Sequence, residues 1–141
     1  MISVQTADFD LGFEYQQLCN SPQIGAVVTF VGRVRDFAEN QTLWLEHYPP
    51  MTENLLAALV AKAKARWPLQ VVRIIHRVGP LLPSEQIVFV GVSSAHRQAA
   101  FAACEWLMDM LKTQAPFWKK EGDHWVEARA SDLLAAQRWQ P

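Results

Sequence analysis

Gln86-Ile87-Val88-Phe89-Val90-Gly91-Val92 is an almost unbroken apolar run, and Ser93-Ser94-Ala95-His96-Arg97 leads from it into a long helical pattern. A strand that is apolar on both sides belongs in the middle of a sheet covered on both faces. The pattern that follows carries a stripe of Ala100, Phe101, Cys104, Leu107, Met108 and Leu111, at the spacing that gathers one face of a helix. Ser93 or Ser94 is the expected N-cap. Lys112 closes the helix and Pro116 stops it. A buried strand feeding a long amphipathic helix predicts a mixed α/β domain in which sheet and helix share a core.

Working outward, residues 71–78 form a second strand, reached by the turn-rich Gly79-Pro80-Leu81-Leu82-Pro83-Ser84. Thr52 is the expected N-cap of a helix over 53–67, with Leu55, Leu56, Leu59, Val60 and Ala63 as its apolar stripe and Pro68 as its stop. Residues 25–35 read as a long strand. Ala26, Val28, Phe30 and Val34 lie on one face, and Val27, Thr29, Val31, Arg33 and Arg35 on the other. A polar loop over 36–41 leads to a strand over 42–48, and so short a link predicts that the two strands pair as a hairpin. Residues 2–6 read as a short edge strand, 10–19 as a helix, 125–129 as a last strand and 131–139 as a final helical turn or two. The order is β-α-β-β-α-β-β-α-β with a tail helix, and no repeat or linker divides residues 1–141, so a single domain is expected.

Half of the 141 residues are hydrophobic and 19% are charged, which supports a packed core and argues against disorder. The net charge of −1 is wrong for a nucleic-acid binder that works through global charge. Cys19 and Cys104 are the two cysteines, with no Cys-x-x-Cys pair, so neither a disulfide framework nor a metal site is expected and no cofactor is implied. Cys104, on the helix stripe, reads as core. The N-terminus lacks a basic start and an apolar run, and no segment approaches the ~20 apolar residues of a membrane span. The cytoplasm is therefore the expected compartment, with no membrane partner.

The cations are unevenly placed. Arg33 and Arg35 close one strand, and His96 and Arg97 open the long helix, where free N–H groups and the helix dipole favour an anion. Lys112 closes that helix, Lys119 and Lys120 follow the bulky Phe117-Trp118 pair, and Arg129 closes the last strand. A lysine beside apolar walls or other cations loses proton affinity and becomes a usable acid, base or nucleophile. Plainer readings fit as well: Lys112 as a last-turn lysine favoured by the dipole, Lys119-Lys120 as a basic loop, Arg33 and Arg35 as solvated strand-end charges. His47 and His76 alternate with apolar residues and read as hydrogen-bonded structural histidines, and His124 as a surface one. The helix spans ~25 Å at ~1.5 Å per residue, so its two ends do not share one small ligand unless the Lys119 segment folds back or a second subunit completes the pocket.

Six stretches, in order, resemble a known family. They are Thr29-Phe-Val-Gly-Arg-Val-Arg35, Leu45-Glu-His-Tyr-Pro-Pro-Met-Thr-Glu53, Ile75-His-Arg-Val-Gly79, Val88-Phe-Val-Gly-Val-Ser-Ser-Ala-His-Arg97, Leu111-Lys-Thr-Gln-Ala-Pro-Phe-Trp-Lys-Lys-Glu121 and Trp125-Val-Glu-Ala-Arg129. Together they resemble the large, catalytic subunits of molybdopterin synthase, the MoaE family, over about residues 24–130. The resemblance implies an α/β hammerhead fold, an α+β arrangement with a mixed sheet, packed helices and a small β-rich subdomain.

It also implies a sulfurtransferase. The enzyme makes the molybdopterin dithiolene from cyclic pyranopterin monophosphate (precursor Z), a pterin, in molybdenum cofactor biosynthesis. Sulfur arrives as a thiocarboxylate on the C-terminal Gly-Gly of a small ubiquitin-like subunit, and a homodimer of large subunits sits within a heterotetramer. By position, Lys112 and Lys119 match the catalytic lysines. Arg33, Val34, Arg35, His96, Arg97, Lys120, Glu121 and Arg129 match substrate-binding positions, with His96 and Arg97 reaching in from the neighbouring subunit. Phe30 and Met108 match pocket-lining positions, and Phe30, Met108, Phe117 and Trp118 together would line a narrow channel for the Gly-Gly tail. A non-catalytic anion- or partner-binding module of the same fold is the alternative.

Overall fold

The computed structural model describes residues 1–35, 42–121, 124–126 and 130–139. Their elements are β1 (Ile2–Gln5), α1 (Leu11–Leu18), β2 (Ala26–Arg33), β3 (Leu43–His47), α2 (Met51–Arg66), β4 (Leu69–Arg77), β5 (Gly79–Leu81), β6 (Gln86–Ser94), α3 (Arg97–Gln114), β7 (Phe117–Glu121), β8 (His124–Val126) and α4 (Ala130–Gln137). They build two four-stranded sheets, ordered β1-β4-β6-β2 and β5-β3-β7-β8. β1 runs parallel to β4, and every other pair is antiparallel. This is the α+β arrangement of one larger sheet with packed helices beside a smaller all-antiparallel one.

The alternation along β6 explains how the first sheet is covered. Val88, Val90 and Val92 join the main core with Leu56, Leu59 and Ala63 of α2 and Ala100, Cys104, Leu107 and Leu111 of α3. Phe89 turns to the other face, where Leu18 of α1, Val71 and Ile75 meet it. Gly91 stands where α1 crosses, and a Cβ there would lie 2.5 Å from Leu18 Cδ1, so a larger residue would displace the Leu18 side chain from this contact. Each fully buried Leu, Ile or Phe contributes ~1.5–3 kcal/mol. A third cluster of Val34, Leu43, Leu45 and Leu81 lies where the end of β2 meets the second sheet. Cys104 is core, as its stripe position indicated.

Polar pairs fix the elements further. Glu14 of α1 is buried and pairs with Arg73 of β4. The Arg77 guanidinium donates to Thr6 O and, at 2.8 Å, to Gln86 O, tying the exit of β1 to the start of β6. Trp139 Nε1 donates to Asp109, which holds the end of the chain against α3. Among the described residues, no helix is long and apolar enough to cross a membrane.

Several local expectations are overturned. β2 and β3 do not form a hairpin: β2 lies at the edge of the first sheet and β3 inside the second, with residues 36–41 between them outside the described ones. Burial of one shared face by Val34, Leu43, Leu45 and Leu81 takes precedence over the short connection. Ser93 and Ser94 are not caps but the last residues of β6; Ser93 Oγ accepts from Val71 N–H and Ser94 Oγ donates to Pro68 O. The helix starts later, with His96 as its N-cap and no side-chain capping bond. Thr52 lies inside α2, and its hydroxyl donates to Tyr48 O. Phe101 is 60% exposed because it falls on the margin of the buried α3 stripe. The stretch 117–121, open to reading as a basic loop, is strand β7. The last strand runs over His124–Val126, and residues 127–129, with Arg129, lie outside the described residues.

Candidate functional site

Lys112 stands in the last turn of α3, one turn beyond Met108. Pro116 has no N–H to extend the helix, so the chain leaves at Ala115, whose N–H still reaches Leu111 O, and enters β7 at Phe117. β7 pairs with β3 so that Phe117 lies opposite His47, Lys119 opposite Leu45 and Glu121 opposite Leu43. Residues directly opposite share a face. Leu43 and Leu45 are buried, so Phe117, Lys119 and Glu121 are on the inward face of the second sheet. A helix end and a strand start, joined by two residues, thus place Lys112 and Lys119 at one corner.

Strand alternation separates Lys119 from its neighbours. Lys120 and Trp118 lie on the outward face, opposite Trp44 and Glu46. There Lys120 Nζ sits 5.7 Å from the Trp125 ring centre, and Thr42, Trp44, Glu46, Lys120 and Trp125 surround an open hollow of about 240 Å³. Trp118 packs edge-on against Tyr48 at 4.7 Å. Phe117 and Trp118 therefore do not line one channel, and Lys119 and Lys120 do not point to one ligand within a chain.

A buried histidine lies against Phe117 at the start of β7. His76 Nδ1 donates to Arg77 O at 2.8 Å, and its ring stacks on Phe117 with centroids 3.8 Å apart. Burial pushes its pKa down to about 4; the bond to Arg77 O works the other way, and the charge of Lys112, then of His47, adds to the lowering. Lys112 is thus near enough for its charge to be felt at His76. His47 was expected to be hydrogen-bonded, but its buried Nδ1 has no partner among the described residues. His76 follows the structural reading, hydrogen-bonded and enclosed. Neither histidine was singled out as part of this corner, because its neighbour Phe117 comes from a strand that the residue pattern did not reveal.

The other candidates are distributed by the sheet. Arg33, at the end of β2, donates from Nε and Nη2 to Ser84 O at 3.2 and 3.0 Å and so fastens the turn before β6. Val34 is buried, and its backbone bonds Glu85 and Ser84. Arg35 is exposed just beyond. Phe30 is 40% exposed on the side of β2 that carries Val28 toward the main core. Met108 belongs to that core with 9% of its surface exposed, one turn before Lys112. His96 and Arg97 are exposed at the opposite end of α3. From Arg97 to Lys112 the helix rises ~23 Å at ~1.5 Å per residue, so one chain does not bring these pairs together.

A two-sheet α+β protein with two amines at a helix–strand corner, an arginine-bearing strand end and a distant basic helix start is the class defined by fold and site. The family model described as MoaE protein matches residues 4–114, and the chain belongs to that family. It is 57% identical to the molybdopterin synthase catalytic subunit of Vibrio cholerae, over 99% of this chain and 97% of that protein. The Escherichia coli K12 protein of the same name is 53% identical, over 98% and 97%. The MoaE protein of Burkholderia ambifaria superposes with a TM-score of 0.86 at 52% identity, covering 99% and 97% of the two chains. Molybdopterin synthase from Staphylococcus aureus superposes with a TM-score of 0.79 at 32% identity, over 88% and 95%.

Proposed function

We propose that this chain is the catalytic subunit of a molybdopterin synthase, moving sulfur from a thiocarboxylated small subunit onto precursor Z. What supports the site assignment is the α3–β7 corner: Lys112 lies in the last turn of the helix, and Lys119 faces inward on the strand that follows it. In each of two rounds, the thiocarboxylate sulfur bonds to a side-chain carbon of the pterin as that carbon's C–O bond breaks, the oxygen leaving with the electron pair on the opened phosphate or, once protonated, as water. Water then cleaves the acyl carbon–sulfur bond, leaving sulfur on the pterin and a carboxylate on the tail. Oxyanions develop at the tail carbonyl, and an ammonium held beside them stabilises them or passes a proton. Arg35 supplies a guanidinium for the cyclic phosphate.

The full pocket is a two-chain product on this reading. A symmetric dimer brings the His96 and Arg97 of one subunit to the lysine corner of the other, which accounts for two basic groups ~23 Å apart on one helix. Each chain acts as one domain, in the cytoplasm. Mixing the chain with a thiocarboxylated small subunit and precursor Z tests the proposal: dithiolene product is expected, and binding of both without product would leave only a binding module.

A further inference from the structure

Phe117 has two imidazoles against it. The His76 ring lies nearly parallel to it, with centroids 3.8 Å and planes 16° apart. The His47 ring, across the ladder, is 6.2 Å away and tilted by 35°. His76 itself has little freedom. It is buried in β4, inside the first sheet, and its Nδ1 is anchored on Arg77 O at 2.8 Å. A carbonyl oxygen only accepts, so the proton is on Nδ1 and the neutral ring keeps its lone pair at Nε2. Arg77 is fixed in turn on the carbonyls of Thr6 and Gln86.

The stack is therefore a place where the second sheet leans on the first. It falls at a telling position, since Phe117 begins the strand that carries Lys119 and follows the helix turn that carries Lys112. An aliphatic side chain at residue 76 would fill space but would offer neither a flat shelf nor an N–H to lock it. Beside the stack, the buried His47 Nδ1 has no hydrogen-bond partner among the described residues.

We propose that His76 is a positioning residue for sulfur transfer: by stacking on Phe117 it sets the spacing of Lys112 and Lys119, and through that spacing the rate of the chemical step. The inference rests on the sulfur-transfer reading of those lysines. Burial keeps the ring uncharged at neutral pH, so it adds no third cation to the corner.

Three substitutions separate the ring from its anchor. His76→Ala removes both, His76→Phe keeps a flat ring, and His76→Asn keeps a donor near the Nδ1 position without the ring. With saturating thiocarboxylated small subunit and precursor Z, turnover is expected to fall at least ~10-fold in the Ala and Asn variants and to return to within ~3-fold in the Phe variant. KM for the small subunit should stay within ~2-fold throughout, with turnover expressed per folded chain from circular dichroism, because a smaller folded fraction also lowers turnover at unchanged KM. Wild-type turnover in His76→Ala, or rescue by Asn and not by Phe, overturns the proposal. Should His76→Ala fail to fold, Phe117→Leu deletes the same stack from the partly exposed side and is expected to lose turnover equally. Backbone amide resonances of residues 117–119 provide a readout independent of activity: they should move in His76→Ala and return in His76→Phe. If the wild-type chain makes no dithiolene, the sulfur-transfer reading has failed, and unmoved resonances then reject the positioning role as well.

Discussion

Lys119 and Lys120 are adjacent and chemically identical, yet the β3–β7 register sends them to opposite faces of one sheet. Lys119 shares its face with Phe117 and the buried Leu45; Lys120 stands over Trp125 in the outward hollow. Lys120→Ala is accordingly expected to keep the chain's turnover within ~10-fold, since it removes a cation that does not face the corner, whereas loss of a group that stabilises the transition state costs ~100- to 1,000-fold. Steady-state turnover of that variant measures the difference. The candidate residues of this corner stand out in the sequence by type and position, but their facing does not. Phe-Trp-Lys-Lys-Glu carries no apolar–polar period, and its faces are decided by β3, far upstream. The two histidines were legible only as inward-facing, by their alternation with Leu45 and Ile74.

Elements with strong patterns were read correctly, and those whose boundaries depend on partners were not. β6, α2 and α3 follow from long apolar stripes that the core then buries. The expected hairpin and the serine caps failed for one reason: local chemistry fits them, but tertiary burial uses the same residues otherwise. Ser93 and Ser94 bond backbone groups of Val71 and Pro68 within the sheet instead of capping a helix. The docking of α1 was equally invisible, because it depends on Gly91 and on the pairing of buried Glu14 with half-buried Arg73, residues far apart in sequence. Removing one partner of a buried pair leaves the other's charge uncompensated. Arg73→Leu is expected to destabilise the chain by about 3 kcal/mol, read from denaturant midpoints at constant slope.

For the whole molecule, His76 sets a pH dependence with a definite sign. Unfolded, a histidine titrates near 6.5; folded, this one is held down to about 4, chiefly by burial. Below about pH 6.5 the unfolded chain takes up a proton that the folded chain refuses, so this contribution is intact above that pH and is lost as pH falls toward 4, by about 3 kcal/mol in all. Chemical denaturation at pH 7.5 and 4.5 should show the loss, and His76→Phe should reduce it. A second whole-molecule expectation concerns the split pocket. Lys119→Ala and Arg97→Ala homodimers should each be inactive. Mixed after subunit exchange, they should recover activity, because each mixed dimer holds one corner with both groups intact.

The most direct measurement of the central claim is dithiolene formation from precursor Z by Lys112→Ala and Lys119→Ala beside the wild-type chain, each with thiocarboxylated small subunit and each shown to melt within a few degrees of the wild type. Product from the wild type and a loss of at least ~100-fold in both variants is the expected result. Undiminished product from either folded variant would contradict the placement of the chemistry at this corner.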